Sequence, residues 1–314
     1  MEIIKKYGYE DLAILYIGKI ERKYLEFVES IQPPYSRAEK WVLIISTMYG
    51  CPIKCSICDA GKYYKGNVSI DDMFGQIDLM VLNRFPKKII AIKKFKIQFA
   101  RMGEPTLNLN VLEVLKQLPG RYNAPGLIPC ISTVAPRNAK EFMEELVKIK
   151  HSVYSNSLFQ LQFSLHTTDE KLRNNIIPYP KWSLKEIAEY GEYFIDEKDR
   201  KITLNFAANK DNPINKDVIA ELFNPKKFMI KITPLNPTES VKENQFQSLI
   251  DPEDLEHANQ LVQSFKEIGF DIILSIGELE ENLIGSNCGQ HALKFEDGNY
   301  VFEEFLAFRT INKI

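Results

Sequence analysis

From residue 41 onward, strand-like runs and helix-like segments alternate, and this rhythm restricts the fold more than any other feature of the chain. Strand patterns stand at 41–49 (WVLIISTMY), 95–101, 127–134, 159–166, 201–208, 228–233 and 270–276. Between them lie helical patterns at 69–84, 109–118, 137–150, 183–197, 214–223 and 251–268. Several helices open behind a capping residue, such as Ser69 before Ile70-Asp71-Asp72, or Asp251-Pro252-Glu253. Regular βα alternation implies parallel strands joined by right-handed crossovers. Six or seven such units predict an α/β chain folded as a partial (β/α)6 TIM-like barrel, with its chemistry at the C-terminal ends of the strands.

Residues 1–40 alternate weakly and end at Pro33-Pro34, which predicts a short β-hairpin extension ahead of a core at 41–291 and a C-terminal extension at 292–314. A chain of 314 residues, 45% hydrophobic, is long enough for a substantial core. The net charge of −2 excludes a global basic field directed at a polyanion. Five cysteines, three of them on one loop, argue against a disulfide framework and for a reducing compartment. The N-terminus MEIIKKYGYEDL carries acids where a secretory signal needs an apolar run. The longest apolar stretch, Trp41 to Met48, is short of the ~20 residues that span a bilayer. The expectation is a soluble, cytoplasmic protein with no membrane partner.

After the first core strand comes Cys51-Pro-Ile-Lys-Cys55-Ser-Ile-Cys58. Thiolates select iron–sulfur clusters or zinc over harder metals. A tetrahedral zinc needs four ligands, yet the next Cys or His is Cys130 and then His151. Three thiolates on a [4Fe–4S] cubane leave one iron open, and an open iron can chelate the amino and carboxylate groups of S-adenosylmethionine (SAM). The reduced cluster can then split the sulfonium to a 5′-deoxyadenosyl radical.

Each strand end carries something polar or glycine-rich. Met102-Gly103-Glu104-Pro105 offers a backbone that a ligand can approach and a carboxylate for an ammonium group. Ser132-Thr133, Ser164-Leu165-His166 and Thr233-Pro234-Leu235-Asn236-Pro237 recur at the same ends. Cys288, flanked by Gly285 and Gly289, has the surroundings of an exposed, reactive thiol.

The succession GC-x₃-C-x₂-C, MGEP-x-LN, IST, SLH-x₂-D-x₃-R, PLNP and CGQ resembles the RlmN/Cfr radical SAM methyltransferases, over roughly residues 41–291. The resemblance implies a radical SAM core, methylation of an adenine carbon in RNA, and cluster ligands Cys51, Cys55 and Cys58. It implies SAM contacts from Gly103, Glu104, Ser132, Ser164, Leu165, His166 and Asn236. It also implies that Cys288 carries a methyl group, that Glu26 (or Glu29) accepts a proton from the adduct, and that a flavodoxin or ferredoxin donates electrons.

Two departures bear on the mechanism. A second family cysteine, seven residues before the cluster loop, is Ile44 here; the spare thiol, Cys130, lies two residues before Ser132 and so on the same strand face. The segment before the core is shorter than the family's RNA-binding accessory domain, although basic residues cluster at Arg84–Lys88 and Lys93–Lys96. Three readings therefore stand: methyl transfer through Cys288 to an sp² carbon of RNA or a small molecule; direct use of the radical on a small molecule or peptide; and a non-catalytic cluster protein that binds RNA.

Overall fold

The computed structural model describes residues 1–154, 157–277, 281, 284–285, 291–296 and 298. Seven parallel strands form the core: β4 (Lys40–Ile45), β7 (Lys94–Phe99), β8 (Leu127–Thr133), β9 (Gln160–Ser164), β10 (Ile202–Ala208), β11 (Phe228–Pro234) and β12 (Asp271–Leu274), hydrogen-bonded in that order. Each overlaps the span its apolar run predicts, with β4, β7 and β11 reaching one residue beyond it. The helices α1 (Ile70–Arg84), α2 (Asn110–Arg121), α3 (Lys140–Val153), α5 (Leu184–Phe194), α6 (Lys216–Leu222) and α8 (Glu256–Glu267) fall at the six expected places.

Alternation along the strands sorts the two faces of the sheet. Phe95, Ile97 and Phe99, like Leu204, Phe206, Ile230 and Ile232, are buried in the main core. Their neighbours Lys96, Gln98, Gln160, Gln162, Ser164, Asn205 and Lys231 are only partly buried and take the other face. Lys96 Nζ donates to Gln160 Oε1 at 2.6 Å between strands that are not hydrogen-bonded neighbours, so this second face is a concave polar interior. Polar side chains follow this interior up to the strand ends, where the predicted site residues lie.

The N-terminal extension holds three strands rather than a two-stranded hairpin: β1 (Glu2–Gly8), β2 (Ala13–Ile20) and β3 (Lys23–Ser30), all antiparallel. β2 and β3 are the predicted alternating runs; the lysine-rich β1 shows too little alternation to be recognised from sequence. β3 pairs antiparallel with β4, Val28 opposite Ile44, so the extension continues the core sheet to ten strands. A ribbon of β5 (Met48–Gly50) and β6 (Tyr64–Asn67) brackets the cysteine loop. Two short helices, α4 (Glu170–Ile176) and α7 (Glu239–Glu243), are held by capping side chains and lack the length for a periodic signal; α9 (His291–Glu296) follows β12. Among the described residues, no helix is long and apolar enough to cross a membrane.

Candidate cofactor and active site

The cysteine loop starts at Gly50, whose φ of +80° and tight approach to Tyr63 exclude a side chain; a Cβ there would lie 2.0 Å from the Tyr63 carbonyl oxygen. Cys51 N–H donates to that carbonyl at 3.0 Å, and Cys58 N–H donates to Cys55 O at 3.1 Å. The loop rests on a small apolar bed of Ile53, Val134, Ile176 and Ile177. Burial is the main force raising all three thiol pKa values. Cys51 and Cys55 both pack against this bed, which includes Val134, whose N–H donates to the Glu104 carboxylate. Three thiols that repel one another as anions call for a strongly cationic centre, and an iron–sulfur cluster fits that donor set.

Asp59 follows the third cysteine and was not singled out by any sequence pattern. Its buried carboxylate accepts from Glu239 N (3.1 Å), Ser240 N (2.8 Å) and Ser240 Oγ (2.6 Å) at the start of α7. Thr238 Oγ1 donates to Ile57 O and Asn244 Nδ2 to Ser56 O. The loop is thus pinned to the segment that follows Asn236, whose own side chain is half-buried.

At the end of β7 the Met102-Gly103-Glu104-Pro105 turn passes beneath β5. Thr47 and Met48 N–H both donate to Met102 O, and Gly103 has φ +97° with the site of a Cβ only 2.5 Å from Met48 Cβ. Glu104 is buried and accepts from Thr106 N, Thr106 Oγ1 and, at 3.0 Å, Val134 N. Burial raises its pKa, and bonds from Thr133, Val134 and Thr106 oppose the rise. Asn108 Nδ2 ties this turn back to Thr47 O and Val68 O, which accounts for the Asn of MGEP-x-LN.

Ser132 and Ser164 sit half-buried near the ends of β8 and β9, and Leu165 is wholly buried. His166 takes a left-handed backbone (φ +67°), and its Nδ1 accepts from Ala207 N at 3.2 Å. Its remaining ring proton therefore sits on Nε2. Burial, then the charge of Arg173, lowers its pKa to about 4, so it is neutral at physiological pH. Within the SLH-x₂-D-x₃-R signature, Asp169 caps α4 by accepting from Lys171 N and Leu172 N. Arg173 is fully buried and donates to Trp182 O and Val134 O, bracing the residue whose N–H holds Glu104.

Glu26 is fully buried and forms an ion pair with Arg101 Nη2 at 2.9 Å. Its Oε2 also accepts from His291 N (3.2 Å) and Ala292 N (3.3 Å). Glu29, its competitor from the sequence, accepts from Tyr16, Trp41, Arg37 and Arg84 on the far side of the strand. Arg101, immediately before Met102, had no sequence signal of its own. Cys288 lies outside the described residues. Ile44 packs against the apolar cluster that contains Ile284. Cys130 is buried in the concave interior, 3.7 Å from Gln160 Oε1, and burial raises its pKa. The basic cluster is largely taken up in the fold: Arg84 pairs with Glu10 and Glu29, Lys88 with Asp78, and Lys96 turns inward.

A half-barrel with three thiols on the loop after its first core strand has the architecture of radical SAM proteins. A radical SAM methyltransferase from Sphaerobacter thermophilus superposes with a TM-score of 0.71 at 18% identity, covering 92% of this chain and 80% of that one. Streptococcus suis SuiB bound to S-adenosylmethionine superposes at 0.52 with 15% identity, over 82% and 54% of the two chains. Such low identity speaks for the fold. The sequence is similar to RlmN: 29% identical over 203 residues to a probable dual-specificity RNA methyltransferase RlmN of Pseudothermotoga lettingae, 62% of this chain and 54% of that one. Against the Buchnera aphidicola dual-specificity RNA methyltransferase RlmN it is 30% identical over 184 residues, 52% and 45% of the two chains. A probable RlmN of Flavobacterium psychrophilum matches 80% of this chain and 69% of its own length, at 24% identity. The chain spans about half the length of the first of these relatives. No family model matches it. The resemblance to RlmN carried by the motifs is therefore borne out by relatives and by fold.

Proposed function

We propose that this chain is a radical SAM methyltransferase that modifies an sp² carbon of an RNA base. The observation that carries the reading is that Cys51 and Cys55 of the triad share an apolar bed with Val134, whose N–H holds the Glu104 carboxylate, at the end of the barrel where strands terminate. Bound there, a [4Fe–4S] cluster and SAM supply a one-electron reductant, a transferable methyl group and a radical precursor. Cys51, Cys55 and Cys58 hold the cluster. Gly103 gives the ligand close access to backbone, while Glu104, already fixed by three N–H and O–H donors, presents its charge to an ammonium group. His166 offers an Nε2–H donor without adding positive charge. Ser132, Ser164, Leu165 and Asn236 complete the contact set, and the Cys288 thiol carries the methyl group to the base. RNA as substrate is supported by the RlmN relatives, and the electron comes from a flavodoxin- or ferredoxin-type donor.

The test is anaerobic reconstitution, addition of reductant and methyl-labelled SAM, and analysis of both the Cys288 peptide and added RNA. S-methylcysteine at position 288 and label in RNA are the expected results. Cys288→Ala should abolish both while binding a full complement of iron. The replacement of the second family cysteine by Ile44 favours one alternative, direct use of the 5′-deoxyadenosyl radical; deoxyadenosine release without methylation of Cys288 would establish it.

A further inference from the structure

We propose that the concave interior of the barrel holds a phosphate group of the substrate at Lys231 and Asn205, with Lys96 supplying a second positive charge. The inference deepens the reading of the chain as an RNA-modifying enzyme, and only the source of the phosphate rests on that reading.

The inward-facing positions of β7 to β11 carry three lysines, Lys94, Lys96 and Lys231, and no carboxylate. The chain as a whole has 42 acids against 40 bases, so this excess of positive charge is local. Lys94 stands at the exposed lip, over the Tyr35 ring. Lys96 reaches inward to a neutral acceptor, Gln160 Oε1, at 2.6 Å. Lys231 reaches nothing: among the described residues it makes no hydrogen bond and no ion pair.

Asn205 is the register neighbour of Lys231 on β10, and the two side chains rise from the same face about 5 Å apart. Asn205 Oδ1 is buried and accepts no hydrogen bond. Two adjacent polar groups thus face the interior without partners. Register places them at the floor of the site. Ser164, Asn205 and Lys231 share one row across β9, β10 and β11, and Asn205 O accepts from Leu165 N at 2.9 Å. Lys231 stands two residues before Thr233, close to where β11 ends and the segment bearing Asn236 begins.

Packing does not account for the pair. A partly buried ammonium without a partner and an orphaned amide oxygen each cost free energy, and an apolar side chain of similar length would fill the space more favourably. Burial, and after it the charge of Lys96, hold the Lys231 ammonium below the usual lysine range. An anion in the interior turns that cost into binding. Two ammonium groups match the charge of a phosphate, and lysine binds phosphate as a compact point charge. A half-turn of the Asn205 amide presents its NH₂ as a further, neutral donor.

The experiment uses the cluster-loaded protein with SAM bound, as wild type, Lys231→Met and Lys96→Met. Equilibrium dialysis with labelled inorganic phosphate reads the subsite itself; calorimetric titration with adenosine 5′-monophosphate and with a short RNA oligonucleotide reads its source. Lys231→Met should weaken phosphate binding at least tenfold and Lys96→Met at least threefold, while SAM affinity stays within twofold. Urea unfolding separates a binding role from a structural one, since removing an unpartnered charge should leave the Lys231→Met midpoint unchanged or higher. If Lys231→Met weakens the oligonucleotide, the phosphate is that of an RNA strand; if it weakens only the mononucleotide, the substrate is a small phosphorylated molecule, and both results support the subsite. Equal phosphate binding by wild type and Lys231→Met would overturn the proposal, as would a lowered urea midpoint or SAM affinity falling in step. If phosphate binds as expected but neither nucleotide probe does, the RNA reading fails while the subsite stands.

Discussion

Replacing Asp59 should loosen the cysteine loop from the segment that follows β11. The buried carboxylate accepts three bonds, from Glu239 N, Ser240 N and Ser240 Oγ. Bonds to a charged acceptor are worth about 1.5–3 kcal/mol each, and an abandoned buried donor costs about 1–3 kcal/mol. The Ser240 hydroxyl can turn elsewhere, whereas the two backbone N–H groups cannot, so Asp59→Ala should cost about 3–5 kcal/mol. Asp59→Asn keeps one acceptor oxygen for Ser240 and turns an NH₂ toward Glu239 N–H, which should halve that loss to about 2 kcal/mol. Ser240→Ala alone removes one donor, at about 1 kcal/mol, and should couple to Asp59→Asn by a similar amount in a double-mutant cycle. Urea unfolding of the metal-free protein measures these differences, and iron bound per chain after reconstitution shows whether the loop still assembles a cluster. An Asp59→Ala protein within 0.5 kcal/mol of wild type that retains all its iron would refute the reasoning.

Gly103→Ala should cost more than 2 kcal/mol, since it combines a φ of +97° with a Cβ placed 2.5 Å from Met48 Cβ; calorimetric titration should also show SAM affinity at least tenfold weaker. Arg173→Met leaves the Val134 and Trp182 carbonyls without their donor and should lower stability by about 2–4 kcal/mol, with Glu104-dependent SAM binding weakened in the same titration. The neutral histidines make stability depend on pH. His166 binds its proton near pH 4 when folded and near 6.5 when unfolded, so the unfolded state holds the extra proton between those values. Stability should be undiminished above about pH 6.5 and fall as pH drops toward 4. His166 contributes about 3 kcal/mol of that loss; His291, also lowered to about 4, acts in the same direction. Urea midpoints at closely spaced pH values check this, and a midpoint flat from pH 7 to 4.5 would contradict it.

All seven core strands and six helices were legible because each carries a periodic pattern long enough to read. What sequence could not supply was the third dimension of short or irregular pieces. α4 and α7 exist through caps, and β1 lacks alternation because Lys5 and Lys6 interrupt it. The cysteine triad and strand-end motifs were legible as chemistry, since thiols at that spacing have few other uses. Their supports were not: nothing local marks Asp59 as a partner of Ser240, 181 residues away, or Arg101 as a partner of Glu26. A lone acid or base shows its role only once the fold supplies its counterpart. Glu26 illustrates the limit, for the motif comparison marked the residue, while its bonds to His291 and Ala292 follow from topology.

The docking of α9 on β3 has a consequence for the order in which the protein matures. His291 and Glu26 are 265 residues apart. Joining them in an open chain costs roughly 5 kcal/mol of loop-closure entropy, by the (3/2)RT ln n relation. Once the barrel has formed, the free tether runs only from Leu274 to His291, and closing it costs roughly half as much. Helix α9 is therefore expected to dock after β3, β4 and β7 have paired, when the chain it must close is short.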